Sequence, residues 1–181
     1  MKTLFLSIAV TVLAFMANAQ IYELKDSETK FFSSTIVEDI DATTKSAQGL
    51  IDFKSGEYYF EIPVATFDFE KDLMEEHFNE NYLETEEYPK ASFSGFSKTN
   101  LDATKANTYV FSGDLTIHGK TMKRDIQVTI KPNGDGTFSI DSSFEVKLKD
   151  HKIKIPKIVF ANIAETIEVS IQGKLEVEKP E

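Results

Sequence analysis

Apolar and polar residues alternate with a period of two through most of this sequence. That pattern restricts the chain to half-buried strands. In "TIEVSIQGKLEVE", Ile167, Val169, Ile171, Gly173, Leu175 and Val177 fall on one face, with Glu168, Ser170, Gln172, Lys174 and Glu176 on the other. "FSIDSSFEVKL" groups Phe138, Ile140, Ser142, Phe144, Val146 and Leu148; "TYVFSGDLTI" groups Tyr109, Phe111, Gly113, Leu115 and Ile117; "DIQVTI" groups Ile126, Val128 and Ile130. Turn residues separate the runs at Ser55-Gly56, at His118-Gly119 and from Pro132 to Gly136. The template predicts about eight strands, over 29–38, 47–54, 57–64, 91–98, 108–117, 123–131, 137–148 and 166–178. One polar face per strand implies antiparallel pairing. Closing the sheet on itself removes its edges. The expected class is all-β, a closed antiparallel eight-stranded barrel in one domain.

Three segments depart from the pattern. "MKTLFLSIAVTVLAFMANAQ" has a basic start at Lys2, an apolar run from Leu4 to Phe15 and a small-x-small site at Ala17 and Ala19. This reads as a secretory signal peptide over 1–19, cut before Gln20, with the barrel domain over 20–181. An uncleaved anchor is the competing reading, and the run is short for a membrane span. In "LMEEHFNENYLETEEYPKASFSG", Met74, Phe78 and Tyr82 recur at i, i+4 and i+8, which predicts a short amphipathic helix. Asp72 is the expected cap, and Pro89 the return to extended chain. "HKIKIPKIVFANIAE" is irregular and stopped or kinked at Pro156.

Small residues sit between large ones on four apolar faces: Gly95 after Phe93, Gly113 between Phe111 and Leu115, Ser142 between Ile140 and Phe144, and Gly173 between Ile171 and Leu175. An eight-stranded barrel is just wide enough to be filled by side chains or to hold one ligand. The small residues favour the second, although glycines also mark bulges and bends. The expected lining is Phe53, Phe60, Ile62, Phe93, Gly95, Phe111, Gly113, Leu115, Ile126, Val128, Ser142, Phe144, Ile171 and Gly173. Gly49, Ile51, Tyr58 and Val64 share the inward parity. Such a wall suits apolar matter, and a solid aromatic core is the alternative. Arg124 shares the parity of Ile126 and begins its strand, so it belongs at a rim. There it serves either an anionic head group or, more simply, a salt bridge with one of the many carboxylates.

The chain carries a net charge of −10 and no cysteine. It therefore has no disulfide, and no electrostatic footprint for nucleic acid. Glu76, Glu80 and Glu84 share a helical face beside His77, but no second histidine accompanies them. A solvated face over a lid made by Met74, Phe78 and Tyr82 is the preferred reading, with no metal expected. No nucleophile or phosphate-loop motif occurs, and His77, His118 and His151 fall in the lid, a turn and a loop. Solvent-facing or capping roles are expected for them.

"FEIPVATFDFEKDLMEEHFNENYLETEEYPKASFSG" followed by "GDLTIHGKT" and a closing alternating strand resembles the YceI-like family, in the version common in Bacteroidetes-type bacteria. The matching positions are Glu76, His77, Phe78, Glu80, Tyr82, Tyr88, Pro89, Ala91 and Phe93, then Leu115, Ile117, His118, Gly119 and Thr121. The resemblance implies a lipocalin-like barrel exported to the periplasm, or secreted, that binds a long polyisoprenoid or related amphiphile. The expected partner is an isoprenoid-like lipid or quinone, without cofactor or catalysis, and a homodimer is left open. An enzyme acting on a lipid in the same barrel, and a partner-binding protein with a filled core, are the competing functions.

Overall fold

The computed structural model describes residues 21–155 and 163–178. The signal-peptide and cleavage expectations and the kink at Pro156 lie outside those residues. Ten strands follow in chain order: β1 (Ile21–Ser34), β2 (Asp39–Thr44), β3 (Gln48–Asp52), β4 (Glu57–Pro63), β5 (Asp68–Phe69), β6 (Lys90–Ser97), β7 (Asn107–Ile117), β8 (Lys120–Pro132), β9 (Phe138–Lys147) and β10 (Thr166–Val177).

β1 is paired on one side with β10. On its other side it pairs with β3 near its start and with β2 near its end. β2 and β3 thus form one interrupted course, and the neighbours run onward from β3 through β4, β6, β7, β8 and β9 to β10. With β10 joined to β1, this is the closed eight-stranded antiparallel barrel. β5 adds a short pairing to the free side of β2.

The first strand differs from expectation. It runs from Ile21 to Ser34, not over 29–38, and β2 follows as a strand of its own. The register with β10 shifts between Lys25 and Glu28, and Asp26 has φ 46°. That bulge changes parity: Tyr22 and Leu24 face inward before it, Ser27, Thr29 and Ser33 after it, all buried. A period-two reading cannot cross such a shift, and a face on which Phe31 is the one apolar residue among three small polar ones does not look like a core face.

The β7–β8 hairpin closes through His118 (φ 49°) and Gly119 (φ 65°), the two positive angles of a type I′ turn. The far end of the barrel, where β1 begins and β10 ends, is plugged by aromatic rings. Tyr22, Phe53 and Phe138 contact one another with centroids 4.5–5.1 Å apart.

The other end is spanned by the chain between β4 and β6. A six-residue helix, α1 (Asp72–His77), continues as one π-helical turn, Phe78–Tyr82, in which the Leu83 N–H donates to the Phe78 carbonyl at 2.9 Å. Asp72 is not the cap. Lys71 holds that position with no side-chain bond, and Asp72 supplies negative charge to the first turn instead.

Candidate ligand-binding cavity

A cavity of about 210 Å³ occupies the barrel between the aromatic plug and the lid. An engineered apolar cavity of about 150 Å³ already admits benzene. From the strands come Phe31, Phe60, Ile62, Phe93, Phe111, Leu115, Ile126, Val128, Phe144, Val169 and Ile171. From the lid and its flanks come Phe67, Phe69, Met74, Phe78, Tyr82 and Leu83, and from the β9–β10 connection Leu148, Ile153, Ile155 and Ile163. No charged side chain lies among the described lining residues, and its hydroxyls are those of Thr29, Ser33, Ser92, Ser142 and Tyr82.

Phe78 is the centre of the lid. Its ring stacks on Phe31 at 5.3 Å with planes 17° apart, and also meets Phe69 at 5.0 Å and Phe67 at 5.9 Å. It touches both small clusters at this end, one around Ile40, Ala42, Phe67 and Phe69 and the other around Val64, Leu83 and Ile153. The π turn adds one residue to the helical repeat, so Tyr82 and Leu83 both reach the wall. Glu76, Glu80 and Glu84 are exposed on the outer side. Among the described residues, no group of three or more His, Asp or Glu is placed to hold a metal.

The lid is fastened at its C-terminal end to the β7–β8 turn. The His118 Nε2 lies 2.7 Å from a Glu84 carboxylate oxygen, and the Tyr88 ring meets the His118 imidazole edge-on at 4.5 Å. The two segments that carry the YceI-like resemblance therefore meet here. His151, expected to face solvent or cap a terminus, is instead fully buried, with its Nδ1 3.0 Å from the Lys120 carbonyl.

Thirteen of the expected lining positions do face the cavity: Phe60, Ile62, Met74, Phe78, Tyr82, Phe93, Phe111, Leu115, Ile126, Val128, Ser142, Phe144 and Ile171. Five are placed elsewhere. Phe53 belongs to the aromatic plug. Arg124 pairs with no carboxylate among the described residues and is not part of the cavity wall; its guanidinium donates to the Glu145 carbonyl on β9 at 2.7 Å.

The three glycines do not open mid-barrel space. Gly95 and Gly113 are cross-strand partners, and Tyr58 is paired with Gly95. A Cβ on Gly113 would lie 1.9 Å from the Ser94 carbonyl oxygen and 2.7 Å from the Tyr58 hydroxyl; one on Gly95 would lie 2.2 Å from the Ser112 oxygen. The glycines permit strands and tyrosine to close up, an aromatic ring covering paired glycines. Gly173 lies under the β1 bulge, where a Cβ would meet Leu24 at 2.7 Å and the Lys25 carbonyl at 3.2 Å. None of the three marks a bend or bulge of its own strand, since the ladders run unbroken through them; they make room for Tyr58, the neighbouring strand and the β1 bulge, and the cavity lies nearer the lid.

Buried polar atoms are few. Ser142 Oγ donates to the Gln127 carbonyl at 2.7 Å, and Ser33 Oγ accepts from the Ala164 N–H at 2.9 Å. Thr29 Oγ1, the Tyr58 hydroxyl and His151 Nε2 find no partner among the described residues. Burial pushes the Tyr58 phenol well up, with the Asp125 and Asp114 carboxylates adding to it. Burial raises Tyr82 as well.

A model of the YceI-like domain family matches residues 22–175. No curated protein matches the chain. Among solved structures, BcnA of Burkholderia cenocepacia superposes with a TM-score of 0.70 at 21% identity, covering 83% of this chain and 96% of that one. A polyisoprenoid binding domain from Saccharophagus degradans, implicated in plant cell wall breakdown, gives 0.74 at 16% identity, covering 88% and 99%. A Campylobacter jejuni YCEI protein gives 0.57 at 19% identity, covering 99% and 100%. At these identities the likeness is one of fold.

Proposed function

This chain belongs to the YceI-like family, and on that premise we propose that it is an exported, non-catalytic protein whose barrel holds an isoprenoid-like lipid. The observation that carries the reading is a cavity of about 210 Å³ with no charge among its described lining residues, closed over by a lid. A wall of this kind offers apolar contact and few directional bonds, which suits a long hydrocarbon chain. A quinone tail falls in the same class. The polyisoprenoid-binding neighbour from Saccharophagus degradans supports the ligand class.

The wall argues against turnover. Ser142 and Ser33 are each committed to a backbone partner. No histidine or carboxylate stands among the described lining residues to activate a hydroxyl, and burial drives the Tyr82 phenol away from the range of a general base. Export to the periplasm or beyond is supported by the leader-like residues 1–19.

Organic extraction of the exported protein, followed by mass spectrometry, tests the ligand. A species with masses spaced by five-carbon isoprene units is the expected result. An extract that only mirrors the bulk phospholipids of the cell contradicts the proposed class.

A further inference from the structure

The turn between β1 and β2 leaves aliphatic side chains uncovered beside the lid. Ile36 is fully exposed, and Val37 is 57% exposed. Turns are ordinarily built from glycine and small polar residues, so two adjacent aliphatics at this tip run against the usual chemistry. The turn is nonetheless well tied. Thr35 Oγ1 donates to the Glu38 carbonyl at 3.1 Å and accepts from the N–H groups of Val37 (3.2 Å) and Glu38 (3.1 Å). Lys71 pairs with Glu38 at 2.6 Å and joins the turn to the start of α1. α1 in turn carries Leu73, 61% exposed. Three exposed aliphatic residues therefore stand on two elements held together by an ion pair.

Glu38 and Lys71 also line a small groove of about 40 Å³. Ile40, Phe69 and Met74 line both the groove and the main cavity. The groove thus shares walls with the cavity, and the paired Lys71 and Glu38 are themselves part of the groove's lining.

We infer that this end of the barrel docks on a lipid bilayer, with Ile36, Val37 and Leu73 entering the interfacial layer, so that a lipid passes along Ile40, Phe69 and Met74 into the cavity. The inference rests on the reading that the cavity holds a lipid. Charge narrows the kind of surface. Asp39, Asp41 and Glu70 line the groove and Asp72, Glu75 and Glu76 lie on α1, outnumbering Lys71 and the Lys30 that pairs with Asp41. An acidic rim is repelled by anionic lipid, so adhesion comes from apolar insertion. Zwitterionic bilayers are the surface that fits, and added salt does not weaken the contact.

Sedimentation of the full exported protein with phosphatidylcholine vesicles, with and without phosphatidylglycerol, tests this. The expected result is binding to phosphatidylcholine that is weaker on the anionic vesicles and not reduced by salt. Ile36→Asp combined with Val37→Asp lowers the bound fraction about tenfold or more. Leu73→Asp, on a separate and already exposed position, lowers it without shifting the melting temperature. Wild-type protein that stays in the supernatant overturns the inference, as do variants that bind as well as wild type, or binding confined to anionic vesicles and released by salt. Variants that merely convert a dimer to a monomer also overturn it, because the tips would then face a second copy. Extraction of the same samples keeps the two readings apart. A lipid-loaded protein that does not sediment removes docking and leaves the cavity reading standing. A protein that sediments through these residues but yields no lipid removes the cavity reading alone.

Discussion

Replacing Gly113 by Ala is expected to lower the stability of the barrel severely, although only one methyl group is added. The new Cβ would lie 1.9 Å from the carbonyl oxygen of Ser94 on the neighbouring strand. That atom belongs to backbone, so relief requires β6 and β7 to separate and to lose pairs of their ladder. Overpacking a well-filled site costs about 1–3 kcal/mol, and a backbone clash belongs at about 3 kcal/mol or above. For a domain of this size that corresponds to a melting temperature lower by roughly 10 °C. Gly95→Ala behaves alike, since its Cβ would meet the Ser112 oxygen at 2.2 Å. Tyr58→Phe is the informative contrast. It keeps the ring stacked on Phe111 at 4.5 Å and removes a hydroxyl without a partner among the described residues. Its effect is neutral or stabilising by about 1 kcal/mol, because an unsatisfied buried hydroxyl costs about 1–3 kcal/mol. Differential scanning calorimetry decides it. A Gly113→Ala protein melting within about 2 °C of wild type, less than 1 kcal/mol on this scale, contradicts the close approach of these strands.

The second large effect is expected at the lid. Phe78→Asp places a carboxylate where a ring now stacks on Phe31 and touches Phe67 and Phe69. The stability loss is about 2–3 kcal/mol, below the range for a fully buried phenylalanine because Phe78 is only half-buried. Lipid retention suffers more, at least tenfold on the same transfer scale, since the charge has to leave the apolar wall and takes the lid with it. Glu76→Gln and Glu80→Gln, on the exposed side, change retention by less than about twofold. Measuring bound lipid per chain after gel filtration distinguishes the sides. Retention unchanged in Phe78→Asp, or abolished by the glutamine variants, contradicts the lid.

These two expectations also show where the sequence could be read and where it could not. Seven strands, β3, β4 and β6 to β10, are legible because each turns one unbroken face inward, as Phe111, Gly113 and Leu115 do on β7. β1 is not, because its bulge shifts parity and Phe31 is the one apolar residue among its inward positions after it, beside Ser27, Thr29 and Ser33. Met74, Phe78 and Tyr82 are visible at helical spacing, but Leu83 enters the wall only because the helix widens into a π turn. Phe67 and Phe69 carry no strand-length signal, since Phe67 directly follows the 3-10 turn Val64–Thr66 and Phe69 ends the two-residue β5.

The glycines illustrate a different limit. Parity correctly places Gly95, Gly113 and Gly173 on faces of the barrel, yet parity says nothing about what stands opposite. Space beside a glycine is taken by Tyr58 in one case and by Leu24 and the β1 bulge in another. Arg124 repeats the lesson. Its parity matches Ile126, but it lies within β8 opposite Gly113, not at a strand start, and its long side chain reaches the Glu145 carbonyl instead of the cavity wall. His151 shows the reverse. A histidine in an irregular segment between lysines looks exposed, and only the fold reveals that the β9–β10 connection turns it inward against Lys120.

The claim on which the rest depends is that one lipid occupies the barrel of each exported chain. Native mass spectrometry of the protein, purified without detergent, measures this directly. The account predicts a chain beginning at Gln20 that carries a single adduct of lipid mass, released when the gas-phase protein is unfolded. A spectrum dominated by the bare chain under the gentlest conditions would contradict it.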